Sequence, residues 1–141
     1  MRFGLPATAA LVVALWFNCF ADSGEPLSLV EYADVCAESI TLADPPLRAE
    51  EVTWGFLRES LKSSLEKFRS ATPPEVLSDF HRASIKGMEY MLSVSEEHRS
   101  DEQANPLALG IEGARIAYQI GQAFDELPDD VRRTLRAAGC L

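Results

Sequence analysis

Four proline-bearing junctions divide this chain, and no other feature limits its fold as tightly: Asp44-Pro45-Pro46, Thr72-Pro73-Pro74-Glu75, Asn105-Pro106 and Leu127-Pro128. Proline lacks the N–H that continues a helix and biases the residue before it away from helical backbone, so each junction ends one helix or opens another. Between the junctions, apolar residues recur at steps of three and four, the period of a helix that buries one face. No run alternates with period two, no Asn-Gly or Asp-Gly pair marks a hairpin, and no internal repeat is present. The expected class is all-α, a compact bundle of about four helices with a short fifth at the C-terminus.

The first helix is expected to start at Ser28-Leu29-Val30-Glu31, a capping box in which the serine hydroxyl and the glutamate satisfy each other's backbone N–H groups. Leu29, Tyr32, Cys36 and Ile40 then form its inner face. A second helix begins near Thr53, with Trp54, Leu57, Leu61, Leu65 and Phe68 in one stripe. Thr72-Pro73-Pro74-Glu75 reads as a threonine cap, a proline at the first helical position and a second capping box, opening a helix that runs to about Glu97. Leu77, Phe80, Ser84, Met88 and Met91 line its inner face, flanked by Ile85 and Leu92.

Asn105-Pro106 repeats the cap-then-proline start for a fourth helix reaching about Leu127. Its polar residues Glu112, Arg115, Gln119, Gln122 and Glu126 form a narrow ridge, so the remaining surface is broad and apolar. Such a helix is expected to lie between neighbours. Gly113, Ala117 and Gly121, spaced by four, are the positions at which another helix or a partner would approach closely. The tail from Pro128 to Gly139 is a short helix with acids at its positive end, arginines toward its negative end and a glycine stop.

The N-terminus has the parts of a secretory signal: Arg2, an apolar stretch from Leu5 to Phe17, and small residues at Cys19 and Ala21 around a cleavage point after Ala21. The stretch falls short of the roughly 20 residues that a membrane-spanning helix needs. The expected organisation is a signal peptide over 1–21, a flexible lead-in over 22–27 and one helical domain over 28–141. The product would be secreted, periplasmic or held at the cell surface, the last by lipid on Cys19 if cleavage fell before it. Trp16-Phe17-Asn18 is a poor lipidation signal because bulky residues precede the cysteine. Without Cys19 the cysteines are two, Cys36 and Cys140, in a compartment where disulfides persist. A Cys36–Cys140 bond is the economical pairing; two separately buried thiols are the alternative.

The balance of 22 acidic and 13 basic residues gives a net charge of −9, which repels phosphate backbones and excludes nucleic acid as the natural partner. Chemistry-bearing motifs are missing. His-Glu-x-x-His, paired Cys-x-x-Cys and the acidic calcium loop do not occur, so neither a metal site nor a cofactor is expected. A Gly-x-Ser-x-Gly elbow is likewise missing, and oxidised cysteines supply no thiolate. His81 lies beside the inner stripe of the third helix with Met88 two turns on, a pair that could ligate haem iron, but c-type attachment would need Cys-x-x-Cys-His. A boundary histidine bonded to a neighbour accounts for His81 more simply.

Glu31-Tyr32-Ala33 before Cys36, Thr72-Pro73-Pro74-Glu75 leading to Asp79-Phe80-His81, and Leu127-Pro128 leading to Val131-Arg132 and Gly139-Cys140-Leu141 together resemble uncharacterised exported helical proteins of bacteria. The resemblance implies a helical fold, a bacterial source and the cysteine pair, and no activity. The expected role is a non-enzymatic interaction or structural module outside the cytoplasm, its partner a protein. The alternative is a carrier that encloses a small apolar ligand near the fourth helix. Weak candidate contact residues are His81, Met88, Gly113, Ala117 and Gly121.

Overall fold

The computed structural model describes residues 24–43 and 51–141, with the side chains of 24–39 and 51–141. The signal peptide, Cys19, the Ile40 side chain and the Asp44-Pro45-Pro46 stop lie outside the described residues. Among the described residues there are five α-helices and no strand: α1 (Leu29–Ala43), α2 (Trp54–Ser70), α3 (Ser78–Glu96), α4 (Gly110–Asp125) and α5 (Asp129–Ala138). No helix among them is long and apolar enough to cross a membrane.

The first capping box forms as its spacing requires. Ser28 N–H donates to Glu31 Oε2 at 2.8 Å and Glu31 N–H donates to Ser28 Oγ at 3.2 Å. The first of these bonds holds the Glu31 carboxyl below its ordinary range. The chain just before it is tied down rather than free, since Leu27 N–H donates to the Thr72 carbonyl at 2.9 Å. Thr53 caps α2 by accepting from Phe56 N–H.

The junction at Thr72 departs from the expected capping box. Its side chain caps nothing, Pro74 has extended backbone (φ −54°, ψ 148°), and a short 3-10 turn over Glu75–Leu77 precedes α3. The second proline explains this: it disfavours helical backbone at Pro73, so Pro73 cannot be the first helical residue. The fourth helix is also not continuous from Asn105. Asn105 Oδ1 accepts from Leu107 N–H as expected, but the turn over Pro106–Leu109 is 3-10, and Gly110 (φ 61°, ψ −157°) bends the chain where α4 begins. Only glycine adopts that backbone readily.

The helices α1, α2 and α3 pack in succession, α5 covers α1, and α4 leans on α3. Tyr32, Ala33 and Cys36 from α1, Leu61, Leu65 and Phe68 from α2, Leu77 and Phe80 beside or on α3, and Val131, Leu135 and Cys140 from the tail build one continuous core. Burying each large side chain stabilises the fold by about 1.5–3 kcal/mol before entropy is counted. Gly139 takes left-handed backbone (φ 87°) after α5, with Gly139 N–H donating to the Arg136 carbonyl and Cys140 N–H to the Leu135 carbonyl. This Schellman closure turns the chain inward, and Cys140 is disulfide-bonded to Cys36 with 5.2 Å between Cα atoms. The bond pins α5 to the middle of α1.

At the far end of α3, Arg58 from α2 donates to the carbonyls of Ser95 and His98, so a guanidinium satisfies carbonyls that the helix terminus leaves open. Trp54 stacks on His98 with ring centroids 4.4 Å apart. The acidic segment after α3 packs here too, where Trp54 and Gly55 N–H groups donate to the Glu102 and Ser100 carbonyls.

Candidate functional site

Glycine governs how closely α4 approaches α3. A Cβ on Gly87 of α3 would lie 2.8 Å from Ile120 Cδ1 and 3.4 Å from Ile116 Cγ2, so this position admits the α4 side chains. The approach is therefore made by Gly87, not by the expected stripe on α4. Gly121 has nothing within 4 Å of such a Cβ, and Gly113 makes room for Leu109, just before its own helix, with the Tyr90 ring beyond. Nor, among the described residues, does α4 lie between neighbours as expected. Only Ile116 and Phe124 on it are buried, while Ile111 is 91% exposed and Tyr118 67%, with Leu107 just ahead of the helix 85% exposed. The apolar breadth of a helix allows several neighbours but does not supply them, and α5 is held on α1.

Beneath α4 the side chains do not close up. They leave an apolar cavity of about 280 Å³ whose lining includes Phe68 of α2, Phe80, Met88 and Met91 of α3, and Ile116 and Ile120 of α4. Cys36 and Ser39 of α1 border it, and the exposed residues Ala117 and Leu141 bring it to the surface. Tyr90 fixes one wall, its hydroxyl donating to the Leu109 carbonyl at 2.7 Å. No side chain in this lining is charged among the described residues.

Three of the five weak candidates meet here: Met88, Gly113 and Ala117 line the cavity. His81 and Gly121 do not. His81 is buried among aromatic rings instead, stacked on Phe68 at 5.1 Å between centroids, with its Nδ1 3.0 Å from the Tyr32 hydroxyl. Burial lowers the His81 pKa and pushes that of Tyr32 up, so both groups are neutral at pH 7. A neutral imidazole with its proton on Nε2 accepts the phenol O–H at Nδ1. The pair ties α1 to α3 in the core, as a boundary histidine bonded to a neighbour would.

Among the described residues, no three His, Cys, Asp or Glu side chains gather to hold a metal ion. Among its described lining residues the cavity presents no basic side chain and no free thiol, since Cys36 is in the disulfide. What it offers chemically is apolar contact. A cavity of about 150 Å³ lined by apolar side chains takes up benzene, so this one suits a body of roughly 10–12 non-hydrogen atoms.

Ser39, Phe68, Tyr90 and Leu109 are lining residues that pattern reading missed. Ser39 carried a usable signal: it follows Tyr32 and Cys36 by seven and three residues, which places a hydroxyl on the buried face of α1. Phe68 carried none, because a core aromatic and a cavity wall have the same periodicity. No family model, no curated protein and no solved structure matches the chain.

Proposed function

We propose that this chain is exported by way of residues 1–21 and that its bundle holds a small apolar molecule in the cavity between α3 and α4. The observation that carries this reading is a cavity of about 280 Å³ that reaches the surface and has no charged side chain among its described lining residues. Well-packed cores rarely keep voids larger than a water molecule, because each lost methylene contact weakens the fold. Binding a molecule there would restore those contacts. At roughly 0.6 kcal/mol per non-hydrogen atom, an eleven-atom ligand would bind with a Kd on the order of ten micromolar.

A second reading, a module that docks on a protein, is favoured by one observation. Leu107, Ile111 and Tyr118 recur at steps of four and seven and are all exposed.

Native mass spectrometry of the chain from its own source tests the first reading. The expected species begins at Asp22, carries the Cys36–Cys140 bond and releases an apolar molecule on denaturation. Ala117→Phe, which fills the cavity from an exposed position, should release none. A ligand-free wild-type chain would overturn the carrier reading, and retention of residues 1–21 would overturn export.

A further inference from the structure

We infer that the front of α4 is a lid over the cavity, latched at its start by Tyr90, hinged at Gly121 and anchored beyond that glycine at Phe124. The inference rests on the cavity being a ligand site. The two ends of the helix are held differently. Behind Gly121, Phe124 and Leu127 are buried, and the Phe124 ring packs against Phe80 at 5.9 Å between centroids. The Arg136 guanidinium of α5 lies 5.1 Å from the centre of the same ring, and Arg132 donates to the Asp125 carbonyl at 3.2 Å. This end is tied to both α3 and α5.

Ahead of Gly121 the ties are weaker. Ile116 and Ile120 rest against Gly87 in apolar contact, Ile111 is 91% exposed, and the Glu112–Arg115 ion pair lies within α4 itself. A polar link from this end to α3 is the bond from the Tyr90 hydroxyl to the Leu109 carbonyl. Gly113 lets Leu109 fold back on the helix, since a Cβ there would lie 2.6 Å from Leu109 Cβ, so the turn and the first part of α4 move as one body. Gly113, Ile116, Ala117 and Ile120, the described α4 residues that border the cavity, all belong to this part. Lifting it uncovers the cavity.

Gly121 is where the two parts join. A glycine inside a helix weakens it relative to alanine, and packing does not call for one here, because an added Cβ would meet nothing within 4 Å among the described residues. What glycine contributes at this point is a pliable backbone between a loosely held segment and a firmly held one. Closures of this kind shut water out and set the rate at which a ligand enters and leaves.

The oxidised full chain is tested with naphthalene by stopped-flow fluorescence and by amide hydrogen exchange. In the free chain, the amides of residues 114–120 should exchange faster than those of 122–126, and naphthalene should slow the first set. Tyr90→Phe, which keeps the ring and removes the latch, should raise the association and dissociation rates together by about threefold to tenfold, one hydrogen bond's worth, with Kd unchanged. Gly121→Ala should lower both rates by about twofold to fivefold, again at constant Kd. A residue that served only as a wall would change Kd instead. Even exchange along α4, unaltered rates in both variants, or a change in Kd without matched changes in the two rates would overturn the lid and leave the carrier reading standing. A wild-type chain that takes up no naphthalene would overturn both.

Discussion

Where α1, α2 and α5 meet, Tyr32, Leu65, Phe68, Leu135 and Cys140 are each less than 2% exposed, a disulfide and a Schellman closure hold the end of α5 on α1, and a buried Tyr32–His81 bond ties α1 to α3. Where α4 leans on α3, the glycine at 87 lets side chains interleave, a cavity remains beneath, and large apolar residues face outward. The first region is closed by covalent and polar ties that fix distances between helices. The second has one polar tie, from the Tyr90 hydroxyl to the Leu109 carbonyl, and otherwise apolar contact, which is non-directional and tolerates a gap. One small domain can thus keep a rigid half and an open half. The open half leaves the cavity, and the closed half borders it through Cys36 and Phe68.

The largest test of this contrast removes the disulfide. In the chain-entropy model, a bond spanning 104 residues confers about 4.7 kcal/mol, and losses of native disulfides run about 2–5 kcal/mol. The double variant Cys36→Ala with Cys140→Ala should lower unfolding stability by that amount in urea titrations. An unchanged midpoint would mean that α5 is held by packing alone.

A smaller effect comes from His81. Its pKa is lowered in the fold by burial, whereas the unfolded chain takes up the proton near pH 6.5. Above that pH both states are neutral there and His81 adds no pH dependence. Below it the unfolded state binds the proton first, so stability falls as pH drops from 6.5 toward the lowered folded value. The slope is at most about 1.4 kcal/mol per pH unit. His81→Gln, which is neutral and can still accept from Tyr32, should remove that slope between pH 6.5 and 5 in urea midpoints. Persistence of the full slope would assign it to other groups.

The smallest effects distinguish two glycines at the open side. Gly110→Ala places a Cβ on backbone at φ 61° and should cost about 1–2 kcal/mol, although nothing lies within 4 Å of it. Gly121→Ala, equally unobstructed but within α4, should stabilise by up to about 1 kcal/mol. Thermal melts of the two variants should move in opposite directions. A loss at Gly121 would mean that α4 has a close neighbour on that face after all.

Local signals in the sequence carried far where the interaction is itself local. The capping box at Ser28 and Glu31, the Asn105 cap and the Gly139 stop all involve groups within a few residues of each other, and each forms. Thr72 shows the limit even at short range, since a cap motif followed by two prolines obeys the second proline. The site was legible only in fragments. Met88, Gly113 and Ala117 could be named as small or flexible apolar residues, but which of them border a void depends on how two helices seat against each other.

The sequence by itself determined the helical class, the positions of most helix boundaries, the inward faces of α1, α2 and α3, and the pair of cysteines, because periodicity, capping and proline chemistry act over one or two turns. Only the tertiary structure decided that α4 lies at the margin, that Gly87 rather than the stripe on α4 sets the helix approach, and that Ser39 is left unpartnered beside a cavity. The physical reason is that packing is a property of facing surfaces. A helix carries its apolar stripe wherever it goes, while the gap between two stripes exists only once both are in place.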